Sequence, residues 1–209
     1  MVEKYNKSIK VIFFDIGGVL LHIHPEKMIK QISTITDIPF DTVKRSFPEG
    51  AHDTYERGQM TDNGWFQSCK NSLPTNNLTE NQFWEAWSML LGDETDVIDI
   101  LIRLKKSYKI WLLSNTNSRH IKNEVENNYV FPKLVDGAIY SYDVGHRKPE
   151  QKIYHVACER AEIEPERCVF VDDLEDNITG AINAGLNSIH YNNTAQLKKD
   201  LKIMSLIND

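Results

Sequence analysis

The sequence predicts an α/β fold: a doubly wound parallel sheet core with a small α-helical cap inserted after the first strand. Three observations carry that prediction. Three short apolar runs each stop abruptly at polar residues, a helix-like segment follows two of them directly, and the stretch 22–93 that follows the first instead reads as helical throughout. Strands that alternate with helices imply right-handed crossovers, and hence parallel pairing.

The first run, residues 10–14 (Lys-Val-Ile-Phe-Phe), is β-branched and aromatic and ends at Asp15. Parallel strands covered on both faces lose polar alternation, so this run reads as a buried strand. Helical patterns then occupy 26–35, 40–47, 62–73 and 80–91, separated by boundary signals at Pro39, Pro48-Glu49-Gly50, Gly58, Pro74-Thr75-Asn76-Asn77 and Gly92. Trp65, Phe66, Phe83, Trp84 and Trp87 recur near helical spacing, which predicts aromatic packing inside the helical unit rather than an aromatic substrate cage. Beyond it come a helix over 95–106, a strand over 110–113 ending at Ser114-Asn115, and a helix over 118–127. Next are a helix over 149–161 with Pro149 in its first turn, and a strand over 168–171 ending at Asp172-Asp173. A helix over 176–184 stopping at Gly185 and a terminal helix over 195–204 complete the chain. The expected division is a core of 1–21 and 94–209 and a cap of 22–93.

Composition narrows the function classes. The chain has 209 residues, 41% of them hydrophobic and 26% charged, which excludes a disordered chain. Its net charge of −6 and lack of a basic run exclude a general nucleic-acid binder. No apolar run approaches the roughly 20 residues that span a bilayer. The opening Met-Val-Glu-Lys-Tyr-Asn-Lys-Ser has no long apolar stretch, and three cysteines without CxxC spacing fit reduced thiols, so a cytoplasmic location is expected. A monomer is the default expectation for this size.

In doubly wound sheets ligands sit outside the carboxyl ends of the strands, where Asp15, Ser114 and Asp173 fall. Asp15 is followed by Ile16-Gly17-Gly18, a turn with little side-chain bulk. Ser114-Asn115-Thr116 offers a hydroxyl and backbone N–H groups before a helix, suited to an anion. Arg147-Lys148-Pro149 supplies a cation, and Asp172-Asp173 an acidic pair suited to a hard cation such as Mg²⁺. A carboxylate nucleophile, a hydroxyl, an ammonium and a second acidic cluster together describe phosphoryl transfer through an aspartyl-phosphate.

Phe-Phe-Asp-Ile-Gly-Gly-Val-Leu, Leu-Leu-Ser-Asn-Thr, Arg-Lys-Pro-Glu and Phe-Val-Asp-Asp-Leu-Glu-Asp-Asn, in that order, resemble the four motifs of the haloacid dehalogenase-like hydrolase superfamily, whose core is Rossmann-like. The helical insert resembles that superfamily's smaller type of cap. Tyr55-Glu56-Arg57-Gly58-Gln59-Met60-Thr61 and Leu-Ser-Asn-Thr-Asn resemble bacterial sugar-phosphate phosphatases of the α-D-glucose-1-phosphate phosphatase type. The resemblance implies Asp15 as nucleophile and metal ligand, and Ser114, aided by the Asn115 backbone, as partner of the phosphoryl group. It implies Lys148 as compensating cation, and Asp173, Asp172 and the Gly17 carbonyl around a Mg²⁺ ion. Asn177 is implied as a residue orienting that loop, and Arg57, at the turn of the cap, is a candidate specificity residue. The substrate expected is a small phosphorylated metabolite, a sugar phosphate first.

One departure matters. Most phosphatases of the superfamily carry a second Asp, an acid–base group, two residues after the nucleophile, where this chain has Gly17. Losing a positioned acid–base group costs roughly 10²–10⁴-fold in rate. The sugar-phosphate subgroup shares the glycine, and an anomeric phosphate leaves as a hemiacetal oxygen that depends less on protonation. His22 and His24, on the expected hinge, are candidates to supply proton transfer. Two other readings stand beside the phosphatase: a 2-haloacid dehalogenase, which needs no metal and so leaves Asp172-Asp173 unexplained, and a catalytically weak phosphate-ester binder.

Overall fold

Alternation within the three apolar runs decides the layers of this computed structural model, which describes residues 8–74 and 77–208. In β1 (Val11–Phe14), Ile12 and Phe14 face one side while Val11 and Phe13 face the other. Every one of these positions is apolar because both faces are covered. One face packs with Ile100, Leu101 and Leu104 and with Leu197 and Leu201; the other packs with Ile153, Tyr154 and Ala157 and with Ile178 and Ala181.

After β1 the chain forms β2 (Leu21–Ile23) and then five helices, α1 (Pro25–Thr36), α2 (Phe40–Arg45), α3 (Glu49–Glu56), α4 (Asp62–Ser72) and α5 (Glu80–Ser88). It returns through β3 (Leu91–Glu94), α6 (Val97–Leu104) and β4 (Lys109–Ser114). A π-helical segment (His120–Val125) runs into α7 (Glu126–Asn128), followed by β5 (Gly137–Tyr140), α8 (Ser141–Val144) and α9 (Gln151–Arg160). Last come β6 (Cys168–Asp172), α10 (Glu175–Asn183), β7 (Asn187–His190) and α11 (Thr194–Ile203). Five strands pair in the order β5-β4-β1-β6-β7, and every pair is parallel. The first strand is thus central, with β4 on one side and β6 on the other. The α/β, Rossmann-like expectation holds.

Several elements go beyond the sequence expectation. The segment around Pro48-Glu49-Gly50, read as a boundary, opens α3, with Pro48 at its N-cap. The helix expected over 80–91 stops at Ser88, and Leu91 begins β3, which pairs antiparallel with β2 where the chain enters and leaves the helical layer. Pro149 stands outside α9, two residues before its start, after a cis Lys148–Pro149 bond. Edge strands β5 and β7, outside the sequence expectation, each bury a single isoleucine deeply, Ile139 and Ile189. Of the expected turn at 74–77, Thr75 and Asn76 lie outside the described residues, as does the opening segment 1–7.

Helices α1 to α5 bury their own core. Trp65 is fully buried, stacked on Tyr55 at 5.5 Å between centroids and edge-on to Trp87 at 5.3 Å. The recurring aromatics are therefore structural, as expected. Thr61 caps α4, and Thr79 with Gln82 forms a capping box on α5. All three cysteines are free and buried. No described helix is long and apolar enough to cross a membrane.

Candidate active site

Strand order creates the site. Because the chain leaves β1 toward β4 and later returns to β6 on the opposite side, the carboxyl end of β1 lies at the switch point of the sheet, where a crevice opens. Asp15 follows β1, Ser114 closes β4, and Asp172-Asp173 stand at the end of β6. The loop before α9 brings Lys148 between them. Its ammonium lies 2.9 Å from Asp15 Oδ1 and 2.6 Å from Asp172 Oδ2. Asp15, Ser114, Lys148 and Asp172 are all buried, and Asp173 is half-buried.

Further bonds fix this arrangement. Ile16 N–H donates to Asp15 Oδ1 at 2.7 Å. Asp172 accepts from Leu174 N–H at 2.8 Å and from the Asn177 amide at 3.0 and 3.1 Å, so Asn177 does hold that loop. The Asn115 side chain grips the lysine loop, donating to Lys148 O at 2.9 Å and accepting from Lys148 N–H at 2.8 Å. Gly18 has φ +80°, and a Cβ there would lie 2.3 Å from Asp173 Oδ2; only glycine allows this approach. Gly17 packs against Ile23, 3.2 Å from where a Cβ would stand.

Charge and burial oppose each other here. Burial pushes Asp15 up to about 7, against the pull of Lys148 and with an added push from Asp172. Burial also disfavours charge on Lys148, but Asp15 and Asp172 outweigh it and lift that ammonium above its ordinary value. Burial and Asp172 raise Asp173. Oxygens of Asp15, Asp172 and Asp173 lie within 4.8 Å of one another, a hard-donor set that fits Mg²⁺.

A cavity of about 360 Å³ opens over this cluster. The structure brings Asp15, Gly17, Ser114, Asn115, Lys148 and Asp173 to its lining, with Asp172 directly beneath, bonded to Lys148. Arg57 is not among the lining residues. Its guanidinium is committed to Asp53 at 2.7 Å and to Glu150, tying α3 to the loop before α9. The specificity role expected of Arg57 has no geometric support. His22 is exposed and His24 packs beside Gly92, so neither reaches the lining. What lines the cavity instead are His52 and Glu56 of α3, together with Arg147 and His120. Glu56 and Arg147 are immediate neighbours of Arg57 and Lys148, so the signal was one position away. His120 is stacked on Trp87 at 5.1 Å, and burial lowers it to about 4.

Comparison with known proteins converges on the same architecture. The haloacid dehalogenase-like hydrolase family model matches residues 9–185. A D-ribitol-5-phosphate phosphatase from Bacteroides thetaiotaomicron is 28% identical over 94% of this chain and 98% of its own length. The crystal structure of a HAD family enzyme from Bacteroides thetaiotaomicron, in complex with magnesium and inorganic phosphate, superposes with TM-score 0.79 at 26% identity, over 91% of this chain and 99% of that one. A 2-haloacid dehalogenase from Pseudomonas syringae pv. Tomato shares the fold alone, with TM-score 0.62 at 16% identity over 93% of this chain and 99% of that one. The four motifs, the parallel sheet with Asp15 at its switch point and the family match over most of the chain agree: the protein belongs to the haloacid dehalogenase-like hydrolases.

Proposed function

We propose that this hydrolase is a Mg²⁺-dependent phosphatase that cleaves a small phosphorylated metabolite, a sugar or sugar-alcohol phosphate, through an aspartyl-phosphate on Asp15. The observation that carries the reading is the buried Asp15–Lys148–Asp172 chain at the strand ends, with Asp173 beside it. The relative that hydrolyses D-ribitol 5-phosphate and the magnesium and phosphate complex of a similar fold support it.

Asp15, Asp173 and the main-chain carbonyl of Gly17 would hold Mg²⁺, with Asp172 adjoining; when bound, the ion supplies charge compensation to the phosphoryl oxygens. Asp15 attacks phosphorus, and the ester P–O bond breaks as the leaving oxygen takes a proton from solvent water. The Ser114 hydroxyl and the Asn115 N–H bind the phosphoryl oxygens, and Lys148 offsets the charge of Asp15 and of those oxygens. Water then attacks phosphorus, the P–O bond to Asp15 breaks, and phosphate leaves. Residues 22–93 act as a cap over the core formed by 1–21 and 94–209, closing the crevice against water while reading the leaving group.

Phosphate release from a panel of sugar and sugar-alcohol phosphates, with and without Mg²⁺, tests this reading. Asp15→Asn is expected to abolish turnover, and wild-type turnover in that variant would remove Asp15 as nucleophile. Chloride release from 2-haloacids that survives chelation would favour the dehalogenase reading instead.

A further inference from the structure

The loop that carries Lys148 is clamped from two directions. Glu150 N–H donates to Arg147 O at 2.9 Å, closing a turn with Lys148 inside it. From the core, the Asn115 side chain fixes the Lys148 N–H at 2.8 Å and the Lys148 carbonyl at 2.9 Å. From the cap, the last turn of α3 grips the turn residues on either side of the lysine. Arg57 donates to both carboxylate oxygens of Glu150, through Nη1 at 3.2 Å and through Nη2. In the opposite direction, Arg147 extends Nη1 to Asp53 at 2.7 Å and Nη2 to Glu56 at 2.6 Å. Asp53 also accepts from Arg57 Nε at 2.7 Å, so the two arginines share it.

The pairs are reciprocal: the cap sends an arginine to a core carboxylate, and the core sends one to cap carboxylates. A two-pronged arginine fixes direction as well as distance. The cap turn also rests on the backbone leading into this loop. Gly58 has φ +70°, and a Cβ there would lie 2.2 Å from Tyr142 O, so the two chains meet where only glycine allows it. Partly exposed ion pairs add little to stability, and Arg57 stands outside the cavity lining, away from the substrate. What this network does fix is the turn that holds the Lys148 ammonium 2.9 Å from Asp15 and 2.6 Å from Asp172.

We infer that Arg57, with Asp53 and Glu150, is a positioning residue: the cap holds Lys148 over Asp15 by gripping the residues that flank it, so turnover depends on these ion pairs. The inference rests on the phosphatase reading and gives Arg57 a role at a distance from the substrate. Lys148 offsets charge during phosphoryl transfer, and a misplacement of about 1 Å caused far from the chemistry can cost roughly 10²-fold in rate. Releasing the cap clamp while the Asn115 grip remains is expected to cost about tenfold.

The experiment measures kcat and KM for phosphate release from the best sugar or sugar-alcohol phosphate at saturating Mg²⁺. Arg57→Ala, and separately Glu150→Gln from the core side, should each lower kcat about tenfold while KM stays within about twofold. Arg57→Lys, which keeps the charge without the two-pronged geometry, should recover part of the loss. The decisive comparison repeats Arg57→Ala in Lys148→Met, whose residual release is read at high enzyme concentration. With the lysine absent nothing is left to position, so the second change should cost no more than about twofold further. A full tenfold loss in that background would mean that Arg57 merely supports the cap, and would overturn the inference. So would wild-type kcat in both Arg57→Ala and Glu150→Gln. Hydrogen exchange over 145–150 needs no turnover: Arg57→Ala should speed it in this loop, and unchanged exchange there also overturns the inference. Additive losses in an active enzyme defeat only the positioning role, whereas no release from any ester by wild type defeats the phosphatase reading and this inference together.

Discussion

Replacing Lys148 by Met removes a buried cation that contacts Asp15 at 2.9 Å and Asp172 at 2.6 Å, and the cost should depend on pH in a defined direction. In the wild type Asp15 is raised to about 7 from an unfolded value of 3.8. Between those values the folded chain binds more protons than the unfolded one. Stability contributed by Asp15 is therefore fully present below the unfolded value and is lost as pH rises, by up to about 1.4 kcal/mol per pH unit, levelling off above pH 7. Lys148 stays charged across this range, since it is raised above its ordinary value. In Lys148→Met Asp15 loses the cation that holds it down and titrates higher, so the loss continues above pH 7 toward the roughly 3–5 kcal/mol typical of a broken buried ion pair. Urea denaturation followed by tryptophan fluorescence in chelator, at about pH 5, 7 and 9, reads this directly. The gap between variant and wild type should widen from the acid to the alkaline measurement. An equal gap at about pH 7 and pH 9 would refute the claim that the lysine acts by compensating these carboxylates.

Other consequences follow from the same geometry. Asp173→Asn should weaken Mg²⁺ binding by tenfold or more, about 1.4 kcal/mol in titration calorimetry, with the fold intact by circular dichroism. Gly18→Ala should cost about 1–2 kcal/mol for the left-handed backbone alone, and should also weaken Mg²⁺ binding because its Cβ displaces Asp173. Trp65→Ala empties the centre of the cap and should lower stability by about 3–5 kcal/mol in urea denaturation. Arg57→Ala should cost no more than about 1 kcal/mol, with the difference shrinking in high salt, because its ion pairs are partly exposed.

How much of this was legible in the sequence follows from burial. β1, β4 and β6 announce themselves because both of their faces are covered, so nearly every position must be apolar. β5 and β7 lie at the edges and bury only Ile139 and Ile189 deeply, so neither needs the long apolar run of a strand covered on both faces. α3 was invisible for a related reason: its buried residues are Tyr55 and Glu56, hardly an apolar stripe. At the site, Asp15, Ser114 and Asp173 are legible because the end of a strand fixes where a side chain stands, and Lys148 because the Arg-Lys-Pro-Glu run marks its loop. Arg57 and Glu56 differ by one step around a helix, about 100° of rotation, and that step separates the outer latch from the cavity. Spacing alone cannot choose between them; the packing of Tyr55 on Trp65 does.

The small ribbon of β2 and β3 bears on how the chain folds. The central strand has no local partner: Val11 pairs with Lys109 and with Cys168. Closing such distant pairs carries an entropic cost that grows with the length of free chain between them. Pairing Leu21 with Glu94 seals the five-helix insertion at its base, so β1 then needs to wait only for α6 and β4 rather than for a long loose segment. The ribbon that joins cap to core is in this sense a shortcut in assembly, and loosening it should slow folding more than it lowers equilibrium stability.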